Sequence, residues 1–518
     1  MIFVTREQIQ RFDEIAIASY GIDGAVLMEN AGAGAARIIL EELRGAKGSI
    51  AVVAGPGNNG GDGFVIARHL VNHGLRARVF FVGQRDKLSE DARKAYEILV
   101  KMKAPLTDMP RDGDVEGLAD QLRGRAAVVD AIFGTGLDRD VTGKYRRAIE
   151  LINDAGLPVY AIDLPSGLDA NTGLPLGVCI RARSTITFAY LKRGLVVHPG
   201  AELAGRVSVV DIGAPRDIIE KVGYDGETIE ESVLRRWLPP RKPDAHKGTF
   251  GHVLIAAGSP GKTGAAIMAS AAALRTGAGL VTIAAQQAAA GAIEAAKPVE
   301  VMMETFDPAA PGTLLRLMEG KDAVAFGPGC GVGDAMGRVL EEVIRGCRVP
   351  LVIDADGLTM LQGRTDLLTA AACPVILTPH PGEMVRLTGS SREEIGAYRI
   401  PVSREFAGRT RTWLILKGSR TVIAGPDGRV AVNMTGNPGM ASGGLGDVLT
   451  GMIVSLCGQQ FGPLEAACLS VFVHGRAGDM ARDRVGELGL TATDVVSCVP
   501  TVLRDLERRD DAGIQRTR

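Results

Sequence analysis

The residues best suited to chemistry in this sequence stand at the ends of apolar runs. In AVVAGPGNNGGDGFVIARHL, the glycines Gly55, Gly57, Gly60 and Gly61 are interleaved with Asn58, Asn59 and Asp62, between a β-branched run and an amphipathic one. A glycine-rich turn opening a helix offers free amides and the positive end of the helix dipole to an anion such as a phosphate. Gly55, Gly57 and Gly60 also satisfy G-x-G-x-x-G. However, RVFFVGQ places Gly83 and Gln84 where a dinucleotide fold would carry an acidic residue, so an ordinary NAD dehydrogenase is set aside. Two amides and a carboxylate exceed what turn geometry needs, and they point to ligand contact. Asp130 in VVDAIFGTGLDRD and Asp163 in AIDLPSGLDA end two further apolar runs. In a parallel sheet the carboxyl ends of strands share one edge, so both aspartates should converge with Asn59 at a ligand crevice.

In the second half, NPGMASGGLGDVLTG sets Gly443, Gly444 and Gly446 ahead of Asp447 at an expected helix start. Unpaired amides there can hold a phosphate while the carboxylate sits beside a reacting hydroxyl, an arrangement suited to phosphoryl transfer to an alcohol. Gly261-Lys262-Thr263 imitates the end of a P-loop, but the position of its first glycine is Ala256, and that reading is set aside. His380 stands between Pro379 and Pro381 and before Gly382 and Glu383, a context that no other histidine shares.

The elements that must position these residues follow from periodicity. SIAVVAG, RVFFVG, AVVDAIFG, VYAIDLPSG, TITFAY and VSVVDIG alternate with helical patterns such as VIARHLVNHG and KYRRAIELINDAG, the signature of a mostly parallel sheet covered by helices. The alternation resumes with HVLIAAG, LVTIAA, AVAFGPG, LVIDADG, VILTPHPGE, TWLILKG, TVIAG and VAVNM, and ends in helices expected from about Leu445, Leu464 and Thr491. Between the halves, RRWLPPRKPDAHKG at 235–248 breaks the apolar pattern with prolines and charges, and places a boundary between domains at 1–225 and 240–508. The final ERRDDAGIQRTR lacks apolar side chains and is expected to fray.

Composition narrows the function. Lys and Arg number 59 against 60 Asp and Glu, so no excess field draws in nucleic acid or an anionic membrane. With 67 glycines and 4% aromatic residues, ligands should be met through backbone amides in tight loops. The seven cysteines form no C-x-x-C pair and read as free thiols of a reducing cytoplasm. MIFVTREQIQRFDE has no signal-peptide pattern, and the charge-free stretch 276–293 is broken by glycines and two glutamines, which disqualifies it as a membrane span.

N-N-G-G-D-G, V-D-A-I-F-G-T-G-L and D-L-P-S-G together resemble the signature loops of the NAD(P)H-hydrate epimerase family. The resemblance implies substrate contact by Asn58, Asn59, Gly60, Gly61 and Asp62, by Gly134, Thr135, Gly136, Leu137, Asp138, Arg139 and Asp140, and by Asp163, which becomes the best acid/base candidate. It also implies a potassium ion on Asn59, Asp130 and Ser166, hard oxygen ligands of the kind such a cation selects.

TPHPGEMVRLTG, LKGSRTVIAGPDG and NPGMASGGLGDVLTG resemble the ADP-dependent NAD(P)H-hydrate dehydratases, of the ribokinase-like superfamily. This resemblance implies that Lys417, Gly418, Ser419, Arg420, Thr421 and Gly446 contact the adenine nucleotide. It places Ala265, Gly329 or its neighbour Gly331, His380 and Asp447 on the hydrate, with Asp447 as base and magnesium neutralising charge. The implied fold is α/β throughout, a Rossmann-like three-layer domain followed by a ribokinase-like one. The implied activity epimerises the R and S forms of hydrated NADH and NADPH and dehydrates the S form with ADP, giving NAD(P)H, AMP and phosphate. Two alternatives stay open on residues alone, a small-alcohol kinase in the second half and a non-catalytic nucleotide-sensing or partner-binding module in the first. Whether the chain is a homo-oligomer is also open.

Overall fold

The computed structural model describes residues 1–45, 47–310 and 312–507. The expected fraying at 508–518 lies outside them. Contacts divide the chain between Gly226 and Glu227 into two compact units. The proline-rich stretch 235–248 therefore falls inside the second unit, where the helix Glu231–Trp237 packs on the helices Pro463–Val485 and Ala492–Glu507.

The first unit holds a seven-stranded sheet of β1 (Ile50–Ala54), β2 (Ala77–Phe81), β3 (Leu106–Asp108), β4 (Ala127–Ala131), β5 (Val159–Ile162), β6 (Ser184–Phe188) and β7 (Arg206–Val210). Its order is β3-β2-β1-β4-β5-β6-β7 and every pairing is parallel. Because side chains alternate along a strand, β1 sends Ile50, Val52 and Ala54 into one core and Ala51 and Val53 into another. Three layers result. The first core is covered by α1 (Arg6–Ala18), α2 (Gly24–Glu42) and α3 (Asn58–Asn72); α1 is started by a capping box between Thr5 and Gln8. The short strands Ile2–Val4 and Leu191–Lys192 form a separate parallel pair in this unit.

The second unit's strands are β8 (His252–Ala256), β9 (Leu280–Gln286), β10 (Met302–Phe306), β11 (Ala323–Phe326), β12 (Leu351–Ile353), β13 (Val375–Leu377), β14 (Trp413–Leu416), β15 (Val422–Ala424) and β16 (Val430–Val432). They run in the order β10-β9-β8-β11-β12-β13-β14-β15-β16, parallel up to β14, after which β15 and β16 turn back antiparallel. Tight turns force that reversal, since a parallel return needs a long crossover. One face is covered by α4 (Thr263–Arg275), α6 (Leu445–Gly458), Pro463–Val485 and Ala492–Glu507, which confirms the three closing helices. Across the unit, α5 (Pro381–Thr388) follows β13. At the crossing of α4 and α6, a Cβ on Gly451 would lie 2.0 Å from the Ala269 carbonyl oxygen, so only glycine lets the two backbones approach.

The stretch 276–293 is a loop, the strand β9 and a short helix, and no helix among the described residues is long and apolar enough to cross a membrane. All seven cysteines are free thiols.

Candidate active sites

In the first unit the carboxyl ends of β1, β4 and β5 open onto a cavity of about 1010 Å³, lined by Asn58, Asn59, Asp62, Gly134 to Asp140 and Asp163. The three loops nominated from sequence therefore converge, but Asp130, expected at the same crevice, is fully buried behind it and does not line the cavity. Asn58 is exposed and accepts a hydrogen bond from Ser89 Oγ at 2.6 Å, while Asp138, Arg139 and Asp140 lie exposed at the mouth. Gly60 and Gly61 do not line the cavity. A Cβ on Gly60 would stand 1.8 Å from the Gly55 carbonyl, so this glycine serves the close fold of the loop.

Asp163 follows β5 with φ +65°, a left-handed conformation uncommon outside glycine and tolerated by aspartate. Such strain persists only where surroundings over-determine it. Here they do: Asp163 Oδ1 is 2.6 Å from Lys192 Nζ and accepts from Thr187 Oγ1 at 3.2 Å, while Oδ2 accepts from the Thr135 amide at 3.1 Å. Lys192, 1% exposed, also donates to Thr187 Oγ1 and the Phe188 carbonyl, each at 2.9 Å. Sequence reasoning missed Lys192. Its only signal is a lysine closing an apolar run, which reads equally as a solvated strand end. Burial lifts Asp62 well above the ordinary carboxylate range, and the like charges of Asp163 and Asp13 add to that rise.

Arg6 was also missed, and it holds the mouth loop. Its Nε donates to the Thr135 carbonyl at 2.9 Å, and its Nη2 to the Leu137 carbonyl and Asp169 Oδ2, both at 2.6 Å. Asp169 is itself organised by Thr172 and Asn171.

Of the proposed cation ligands, Asp130 and Ser166 are bonded directly to each other. Asp130, fully buried, accepts from Ser166 Oγ at 2.6 Å and from the Ser166 amide at 2.8 Å; burial raises its pKa to about 6 against the pull of those bonds. Ser166 Oγ accepts in turn from the Phe133 amide at 2.8 Å. Asn59 lies against neighbouring Gly134, and both polar atoms of its buried amide are without a hydrogen-bond partner among the described residues. An orphaned buried amide costs about 1–3 kcal/mol and asks for an occupant, so the donor set fits a hard cation.

In the second unit the nominated residues gather at the carboxyl ends of β11 to β14. Lys417, following β14, donates from Nζ to Asp354 Oδ1 at 2.8 Å and lies 4.0 Å from Glu383 Oε2. Asp354, 1% exposed beyond β12, also accepts from Thr450 Oγ1 of α6 at 2.8 Å. Burial opposes the charge of Lys417, but Asp354 and Glu383 outweigh it and its pKa is raised. A Cβ on Gly446 would come within 3.2 Å of Lys417 Nζ, so glycine leaves that ammonium room at the helix start. The first bond of α6 runs from the Val448 amide to the Gly444 carbonyl, and the amides of Gly446 and Asp447 precede the ladder. Burial raises Asp447 to about 7, helped by the like charges of Asp354 and Asp356 and opposed by Lys417.

Gly329 and Ala265 touch, a Cβ on Gly329 falling 3.1 Å from Ala265 Cβ. Asp356 ties this corner together, accepting from the Gly331 amide at 2.8 Å and pairing with Lys262 at 3.0 Å. His380 caps α5: its Nδ1 accepts from the Gly382 and Glu383 amides at 2.9 and 3.2 Å, and the Glu383 carboxylate accepts from the His380 amide at 2.7 Å. The cap assigns the neutral tautomer with its proton on Nε2. Burial, then Lys417, lowers the His380 pKa, which favours that form. Gly418 and Ser419 sit exposed on the β14–β15 turn, Thr421 Oγ1 bonds the Gly418 carbonyl at 2.9 Å, and Arg420 Nη1 donates to the Met434 carbonyl at 3.2 Å. The turn rests on buried Arg399, which donates to the Leu416 and Lys417 carbonyls at 3.0 and 3.1 Å. Asp354, Asp356 and Arg399 are not evident from sequence, where LVIDADG shows only a strand.

A parallel sheet with acid-lined loops at its strand ends, followed by a sheet whose closing helix presents Gly446 and Asp447, defines a two-domain nucleotide-handling α/β enzyme with a ribokinase-like second half. The family profile described as NAD(P)H-hydrate dehydratase matches residues 253–501, and that described as YjeF-related protein N-terminus matches residues 24–194. The bifunctional NAD(P)H-hydrate repair enzyme Nnr of Thermofilum pendens is 41% identical over 98% of this chain and 97% of its own length. That of Escherichia coli is 33% identical over 96% and 93%. The ADP/ATP-dependent NAD(P)H-hydrate dehydratase of Bacillus subtilis, co-crystallised with ATP and Mg²⁺, superposes with a TM-score of 0.50 at 33% identity, covering 55% of this chain and 99% of that one. The chain belongs to the bifunctional NAD(P)H-hydrate repair enzymes, with an epimerase and a dehydratase unit.

Proposed function

We propose that the two activities divide between two sites, each centred on a lysine paired with a buried carboxylate: Lys192 with Asp163 in the first unit, Lys417 with Asp354 in the second. That recurring pair is the observation that carries the reading, because in each case it fixes charge at a strand end facing the ligand side. In the first unit, the R and S hydrates of NADH and NADPH are interconverted at carbon six, with Asp163 exchanging the proton. Lys192 holds Asp163 as an acceptor, and the Thr135 amide sets its orientation. Asn59, Asp130 and Ser166 are the residues that would hold potassium, which would supply a fixed positive charge beside the substrate.

In the second unit, ADP supplies the phosphoryl group. Hydroxide is a poor leaving group; Asp447 takes the proton of the carbon-six hydroxyl, whose oxygen attacks the β-phosphorus, and AMP departs. The phosphate ester then eliminates: the C6–O bond breaks as the N1 lone pair forms the iminium, phosphate leaves, and loss of a C5 proton to solvent restores the ring C5=C6 double bond. The amides from Gly443 to Gly446 receive the transferring group, with Lys417 beside them. Among the described residues no three His, Cys, Asp or Glu side chains are grouped as a metal site. Magnesium characteristically binds through phosphates and waters with one or two carboxylates, so it would arrive with the nucleotide. Ala265, Gly329, Gly331 and His380 contact the hydrate, and the turn from Lys417 to Thr421 contacts the nucleotide.

The test uses Asp163→Ala in the full chain, with mixed NADH hydrate epimers, excess ADP and magnesium. Recovery of NADH absorbance should be fast for the S form and then plateau, while the wild type proceeds to completion. Completion by the variant at the wild-type rate refutes the role of Asp163.

A further inference from the structure

The first-unit cavity has a wall that belongs to no nominated motif. Ile9, Asp13 and Ile17 are spaced by four residues on α1 and all line the cavity. Residues so spaced share one helical face, so α1 presents a single carboxyl between two isoleucines, with Gln10 lining the cavity beside them. Phe12 and Ala16, on the adjoining face, are buried in the core and anchor the helix. Asp62, Asp163 and Lys192 line the same cavity. No hydrogen bond from another described residue contributes to the titration of Asp13, whereas Asp163 is engaged by Lys192, Thr135 and Thr187.

Inversion at carbon six needs a proton delivered to the departing hydroxyl and one removed from the water that replaces it. One ion-paired carboxylate can only accept. We propose that Asp13 is the second catalytic carboxyl of this site, the general acid that works with Asp163 as base. Its proton passes to the carbon-six hydroxyl; the C–O bond breaks as the N1 lone pair forms the N1=C6 iminium, and water leaves. Water then adds to the other face of C6, the iminium electrons return to N1, and the proton released passes to Asp163. Asp163 then releases its proton to solvent and solvent returns one to Asp13, so the net change is inversion alone. The role rests on reading the first unit as the epimerase.

Burial raises Asp13 to about 6, with Lys192 lowering it and Asp163 raising it, so the acid form persists toward neutral pH. The charged groups facing Asp13 are Lys192, Asp163 and Asp62; the helix Asp217–Val222, also packed on α1, carries Asp217, Glu220 and Lys221.

The experiment follows NADH recovery from mixed epimers with excess ADP and magnesium in the full chain, where the fast phase reads dehydration and the slow phase epimerisation. Asp13→Asn should slow the second phase by about 10²–10⁴-fold, with its KM within about threefold of wild type and the fast phase unchanged. Asp13→Glu, which keeps the acid, should restore most of the rate. The wild-type slow phase should fall as pH rises through about 6, and Asp13→Asn should lack that limb. A slow phase in Asp13→Asn matching wild type in rate and pH profile overturns the assignment alone. Equal loss in Asp13→Glu and Asp13→Asn with a raised KM also overturns it, because the side chain is then structural. A wild type with no slow phase above the spontaneous rate instead removes the epimerase reading, and the role of Asp13 with it.

Discussion

Asp447 shows how burial serves chemistry at one residue. A base works best with a pKa near the operating pH, and burial together with Asp354 and Asp356 brings Asp447 to about 7. Because the deprotonated form is the base, dehydration should rise with pH through about 7. Asp354→Asn removes a like charge and frees Lys417 to act on Asp447, so both changes should move this limb to lower pH. Loss of the fixed Lys417 should also cut kcat, and an unmoved limb in the pH–rate profile would refute the coupling. Asp447→Asn should reduce dehydration by about 10²–10⁴-fold while leaving epimer exchange intact. A carboxyl whose pKa burial raises to about 7 costs stability increasingly from its unfolded pKa upward and in full above about 7, so the same variant should gain more melting temperature over wild type at pH 8 than at pH 5. Thermal melts at the two pH values check this.

The elements matter through what they hold in place. α1 contributes neither a strand-end loop nor a glycine motif, yet Arg6 at its start bonds two carbonyls of the loop that roofs the first cavity. Charge-assisted bonds to backbone are worth about 1.5–3 kcal/mol each when both partners are ordered. Arg6→Ala should therefore raise the KM of the epimerisation phase by about tenfold or more and leave dehydration of the S hydrate untouched. Equal kinetics in both phases would mean that the loop is held by its other contacts. Much of this level was legible: the strand runs and the three closing helices stand where periodicity placed them. α1 itself was read only as the absence of a signal peptide, although Thr5 and Gln8 form the capping box that starts it. The edge strand β10 (MMETF) is not legible in the same way, because its Met and Glu positions give only a weak alternation.

For the molecule as a whole, ligands of one unit should report on that unit. ADP with magnesium, at about 100 times its dissociation constant, should stabilise the second unit by about 2.7 kcal/mol. Hydrogen exchange should slow at Lys417–Thr421 and at the start of α6, with the first-unit sheet unchanged. Absence of protection at both segments would move the nucleotide elsewhere in the second unit.

What the sequence determined by itself is local. Glycine-rich turns, strand-end aspartates and the Gly446–Asp447 pair carry their chemistry in residue type and spacing, and these put Asn59, Asp130, Asp163 and Asp447 in view. Only the tertiary structure decided which charges meet: Lys192 with Asp163, Asp354 with Lys417, Arg6 with the roof loop, Asp13 with the cavity. Lys417 was expected on the nucleotide as the head of a loop, and folding turns its ammonium into a cluster with Asp354 and Glu383. The physical reason is separation along the chain. Asp354 and Lys417 lie 63 residues apart and Arg6 and Leu137 lie 131 apart, so no local pattern encodes those pairings. They arise because parallel strands gather distant loops at one edge, where burial rewards each charge that finds a partner.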